Sequence, residues 1–128
     1  MIEALLAAAS LTAADCAPLQ RLAEATLNGR GEVATGPVSY VGLPEAPGCT
    51  VRLRSDASPE SGVFEIASRI DAAVAEQGWV RDPGADADGA GATAAGYGKG
   101  ELRLTVTVER DSPEAGPYAI VLGLRPAH

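Results

Sequence analysis

Residues 101–110 read ELRLTVTVER, and their alternation decides the fold. In an extended chain Leu102, Leu104, Val106 and Val108 fall on one face, and Arg103, Thr105, Thr107 and Glu109 on the other. The polar stretch DSPEAGP follows, and then YAIVLGLR at 118–125 repeats the pattern with Tyr118, Ile120, Leu122 and Leu124 together. Two alternating strands around a short turn predict an antiparallel C-terminal hairpin over 101–125. Its apolar face requires a cover.

The cover lies upstream. Ser58 is suited to an N-cap and Pro59 to a first helical turn, and Val63, Ile66, Ala67, Ile70, Ala73 and Val74 recur at helical spacing. This predicts a helix over 58–77 packed on one sheet face, with Glu65 and Arg69 as an i,i+4 pair on its wet side and Gly78 at its end. Trp79-Val80 then starts a short strand, with Trp79 as a core anchor. CTVRLRS at 49–55 is a further strand, with Cys49, Val51 and Leu53 inward and Thr50, Arg52 and Arg54 outward. DCAPLQRLAEATLNG at 15–29 reads as a first helix, with Leu19, Leu22, Ala23 and Leu27 on one face and Asn28-Gly29 as its stop. Between them GRGEVATGPVSYVGLPEAPG is turn-rich, with one short strand at 38–41 bracketed by Pro37, Pro44 and Pro47. The expectation is an α+β fold: two helices and a three- to five-stranded, mainly antiparallel sheet. This order resembles the helix-on-sheet modules of bacterial envelope proteins, a likeness of fold that implies no function.

Composition sets the bounds. A chain of 128 residues is one domain by length. Aromatics are 4% of it against 46% apolar residues, so the core is aliphatic. The net charge of −7 and the absence of a basic region exclude nonspecific nucleic-acid binding, which needs cations to neutralise phosphates. The first fourteen residues, MIEALLAAASLTAA, carry an apolar run followed by small residues, as a secretory leader does. Glu3 and the short length speak for a plain helix instead. The run is too short to span a bilayer. The expected organisation is therefore a leader-like segment at 1–14 and one domain at 15–128.

The two cysteines, Cys16 and Cys49, form no C-x-x-C motif. In an exported chain they predict a disulfide; in a reducing cytoplasm they would be two buried thiols.

Motifs for chemistry are sparse. DPGADADG at 82–89 offers three aspartates, but an EF-hand frame with Gly89 at its sixth position puts Gly84 first and Ala95 twelfth. Both ligands are missing, so the stretch is read as a turn. The one histidine, His128, is the last residue, which leaves Ser-His and Cys-His dyads without a positioned base. GAGATAAGYGKG matches neither a P-loop nor a dinucleotide fingerprint. It ends in a tight turn at Lys99-Gly100. No metal or cofactor is implied.

What remains is arginine. Arg52, Arg54 and Arg103 project from the outward faces of strands, with Arg125 near them if the register allows, and forked guanidinium donors suit carboxylates or phosphates. Cross-strand pairing with Glu101 and Glu109 is the plainer reading. Tyr40, Trp79 and Tyr97 could add a contact patch. The expectation is a small exported bacterial domain, periplasmic or secreted rather than cytoplasmic. It would bind a protein or cell-envelope component without chemistry of its own. The alternative is a hydrolase or hydrolase inhibitor using acidic residues or the 84–100 loop.

Overall fold

The computed structural model describes residues 11–55, 62–89, 91–110 and 117–128. Two helices, α1 (Ala17–Leu27) and α2 (Gly62–Glu76), accompany six strands: β1 (Gly31–Tyr40), β2 (Leu43–Ser55), β3 (Val80–Gly89), β4 (Ala92–Lys99), β5 (Leu102–Arg110) and β6 (Tyr118–Pro126). The strands form one sheet in the order β1-β2-β6-β5-β4-β3, antiparallel throughout. The α+β class stands as expected, but the sheet has six strands instead of three to five.

The register carries the logic of the alternation. Leu104 pairs with Leu124, Val106 with Leu122, Val108 with Ile120 and Leu53 with Ile120, so one face of the sheet is a continuous aliphatic layer. Val63, Ile66, Ile70 and Val74 of α2 and Leu19, Ala23 and Leu27 of α1 are buried against it. Trp79 closes the end of α2 as a core residue, with Lys99 Nζ 5.8 Å from its ring centroid and 2.6 Å from the Gln77 carbonyl. The proposed cap at Ser58 and Pro59 lies outside the described residues, as do residues 1–10 of the leader-like segment and the 111–116 turn. Glu65 and Arg69 pair at 3.0 Å on the exposed side, as their spacing requires.

Ahead of α1, the extended Thr12 caps a short turn. Ala13–Cys16 form a 3-10 turn in which the Thr12 N–H donates to Asp15 Oδ2 at 2.7 Å, and Leu11 packs against the core. Cys16 then bonds to Cys49 of β2, with Cα atoms 6.1 Å apart. The crosslink spans 33 residues, and in the chain-entropy account it stabilises the fold by about 3–4 kcal/mol. Asn28 ends α1 in the left-handed region, φ 53°.

β4 lies where the glycine-rich 84–100 stretch was expected to be a loop, and β1 and β3 run well beyond the short strands expected at 38–41 and from Trp79-Val80. In β3, Asp82 pairs with Gly96 and Ala87 with Ala94, so residues 83–86 bulge out opposite Ala95 alone. DPGADADG is thus an irregular edge strand rather than a simple turn, and proline, charge and bulge are the means by which sheet edges avoid further pairing. In β1, Gly36 faces Gly48 and Pro37 faces Pro47 across the ladder, up to a two-residue turn at Val41-Gly42. These paired interruptions do not end the hairpin; they bend it. Beyond them residues 37–47 form an arm that folds back over the sheet face opposite the helices.

Candidate functional site

The outer sheet face is laid out in rows by the register. Gly96, Thr105, Gly123 and Thr50 make one row, and Ala94, Thr107, Val121 and Arg52 the next. The first row is small because the arm lies on it. A Cβ on Gly123 would come within 3.0 Å of Val38 Cγ1, and one on Gly96 within 2.7 Å of the Tyr40 hydroxyl and 2.4 Å of Ala85 Cβ. Across that gap the Tyr40 hydroxyl donates to Asp82 Oδ2 at 2.7 Å, tying the arm to the opposite edge strand. Burial, and then the bond to Asp82, push the Tyr40 phenol up to about 12.

Under the root of the arm lies Arg125, which the sequence placed among the exposed binding arginines. It is fully buried. Its Nε donates to the Pro126 carbonyl at 2.8 Å, and its Nη1 to the carbonyls of Pro44 and of Val38. Nη2 is buried without a partner. Arg125 is therefore an anchor for the arm, not a surface contact. Arg103, its neighbour in the register, turns its Nη1 to the carbonyls of Gly100 and Leu102 at 3.1 and 2.8 Å.

The expected cluster of four arginines does not assemble. Arg52 aligns with Val121, four positions along β6 from Arg125, or about 13 Å at the rise of a strand. Arg52 and Arg54 instead share the far end of the outer face with Arg30, a residue the sequence reading did not single out because it precedes β1 in a turn-rich stretch. These three arginines and Glu32 line a groove of about 470 Å³ with Ala119, Ile120 and Val121 at its floor. Glu32 stands opposite Arg52 in the ladder and offsets part of the charge. Three arginines less one glutamate leave the groove formally +2 in a chain whose net charge is −7.

A second groove, of about 350 Å³, runs from this end toward the arm. Thr50, Thr105, Thr107, Val121 and Gly123 lie along its floor, and the arm residues Pro37–Val41 form its wall. Val121 lines both grooves, so they are neighbours on the outer face.

The helix side presents a different arrangement. A cavity of about 230 Å³ between α2 and β3–β4 holds Asp71, Arg81, Asp86 and Tyr97, with the exposed Phe64 at its rim. Asp71 Oδ1 accepts from the Tyr97 hydroxyl at 2.7 Å and from Arg81 Nη1 at 3.1 Å. Asp86 Oδ1 takes Arg81 Nε and Nη2 at 3.2 and 3.1 Å. Burial, followed by the bond to Asp71, raises the Tyr97 phenol well above its ordinary range. Thr93 Oγ1 donates to Asp88 at 2.6 Å. The acidic residues of the 84–100 region are thus engaged with neighbours, and the network fastens the edge strand to α2. The aromatic patch proposed from Tyr40, Trp79 and Tyr97 is divided: Tyr40 is on the outer face, the other two in the core. Among the described residues no group of three or more histidine, cysteine, aspartate or glutamate side chains could hold a metal ion. No described helix is long and apolar enough to cross a membrane. Comparison with known proteins adds no relative: no family model, curated protein or solved structure matches the chain.

Proposed function

We propose that this is a non-catalytic binding domain of an oxidising compartment, which uses its outer sheet face to engage an anionic group on a partner. One observation carries the reading: Arg30 and Arg52 converge on an open groove at a sheet face that neither described helix covers. An exposed guanidinium on a rigid strand is a pre-positioned, forked donor for a carboxylate or phosphate. The Cys16–Cys49 disulfide supports an exported setting, since such bonds persist where thiols are not kept reduced. The acidic residues of the helix-side cavity, which the hydrolase reading would use, are engaged: Asp71 and Asp86 share Arg81, and Asp88 accepts from Thr93.

The test is an amide-shift titration with glycerol phosphate, an anion with no apolar part. Shifts are expected at residues 30–32, 52–54 and 119–121, with millimolar affinity that falls as salt rises. The double variant Arg30→Ser, Arg52→Ser should abolish them while the remaining spectrum is kept. Shifts confined to the helix-side cavity, or none at all, would overturn the assignment.

A further inference from the structure

We infer that the outer face takes a single-chain anionic amphiphile, with its head group on Arg30 and Arg52 and its apolar chain in the groove beside the arm. The inference rests on the anion-binding reading above and names the ligand class. Three features converge on it. First, the charged and the apolar grooves share Val121 as a lining residue, which makes them neighbours within reach of one elongated molecule. Second, the inner groove is apolar where a head group would not reach: Pro37, Val38, Val41, Ala94, Val121 and Gly123 border it. Its threonine hydroxyls are the main polar groups on the floor, and threonine also offers a methyl group to a chain. Third, its volume of about 350 Å³ lies within the roughly 300–1,000 Å³ typical of small-molecule sites.

The arm gives the groove its depth. Without it the face would be a flat layer of glycine, alanine and threonine, which holds an alkyl chain poorly. With Val38 seated on Gly123 and Tyr40 tied to Asp82, the arm provides a fixed wall, and Val41 at its tip stays 61% exposed. An acidic protein segment would also satisfy the arginines, but it would place backbone polar groups against an apolar wall that offers them few partners. The observations therefore favour the lipid-like ligand.

The experiment compares dodecyl phosphate, below its micelle concentration, with glycerol phosphate and with dodecyltrimethylammonium by amide-shift titration. Dodecyl phosphate is expected to bind roughly 50-fold or more tighter than glycerol phosphate, because each buried methylene multiplies affinity by about fourfold. Its shifts should extend from Arg52 to Thr105, Thr107 and Gly123. The cationic amphiphile should bind at least tenfold more weakly than dodecyl phosphate. Thr107→Phe, which fills the groove floor, should reduce dodecyl phosphate to the affinity of glycerol phosphate and leave glycerol phosphate unchanged. Stearate spin-labelled near its methyl end gives a check on the unaltered protein: it should broaden the amides of Val38 and Gly123.

The outcomes separate the two readings. If glycerol phosphate binds at the arginines and the chain adds nothing, the amphiphile inference fails and the anion site stands. If neither binds there, both fail. Equal affinity for the cationic and anionic amphiphiles overturns the inference by removing the arginines from it. Tighter binding of an acidic hexapeptide than of dodecyl phosphate would also overturn it, and would identify a protein segment as the occupant.

Discussion

Gly36 and Gly48 face each other across the β1–β2 ladder at the bend of the arm, yet alanine at the two positions should have opposite effects. At Gly48 a Cβ would lie 2.1 Å from the Leu124 carbonyl oxygen and 2.9 Å from Val38 Cγ2. The first of these is backbone in the central strand β6 and cannot turn aside. Overpacking of this kind costs about 1–3 kcal/mol, and contact with fixed backbone puts it at the upper end. Alanine returns about 0.4–1 kcal/mol by restricting the unfolded chain. Gly48→Ala should therefore destabilise by about 2 kcal/mol. At Gly36 a Cβ meets nothing within 4 Å, and the backbone is not in the left-handed region. Gly36→Ala should keep the unfolded-state gain alone, so it should be neutral or stabilise by up to about 1 kcal/mol. Urea unfolding of both variants, followed by circular dichroism, separates them. Equal effects, or a neutral Gly48→Ala, would refute the account of the bend and with it the close approach of the arm to β6.

Two further outcomes follow from the crosslink and from the arm's tether. Cys16 and Cys49 should be alkylated only after reduction, as read by intact mass, and the Cys16→Ser, Cys49→Ser variant should lose about 3–4 kcal/mol in urea unfolding. Tyr40 should make stability fall at alkaline pH: the folded protein holds the phenolic proton up to about 12 against 10.0 unfolded. The contribution is whole below pH 10 and is lost as pH rises through 12. The difference is on the order of 2 kcal/mol. Tyr40→Phe should lessen the slope there, the part due to Tyr97 remaining, measured as urea midpoints against pH, whereas an unchanged slope would detach Tyr40 from it.

The helix side of the molecule was legible because burial writes itself as periodicity. Leu102–Val108, Tyr118–Leu124 and the stripe from Val63 to Val74 each repeat at the period of their element, and each is buried as that period demands. The outer side was not legible, for the same reason. β1 and β3 are edge strands whose residues are mostly exposed, so no apolar alternation marks them, and their glycines and prolines imitate turns. The facing pairs Gly36–Gly48 and Pro37–Pro47 become a signal only once the register is known. Arg125 shows the limit most directly. Its outward parity is right, but parity cannot reveal that another part of the chain lies over that face. Arg30 was missed for the converse reason: it belongs to no strand, and only the fold brings it beside Arg52.

The two faces answer to different demands. The helix-covered face is aliphatic, closely packed and crosslinked through Cys49, which is what stability requires. The outer face departs from what stability would select. Gly96 and Gly123 lie in strands, where glycine is unfavourable, and Arg125 is buried without a carboxylate among its hydrogen-bond partners. Arg30 and Arg52 meet in one groove although the chain carries an excess of acids. Each departure serves the arm or the groove beside it: the glycines admit Val38 and Tyr40, Arg125 fixes the root, and the arginines stand at the open end. Features that cost stability and converge on one surface are what the proposed binding role of that surface would require.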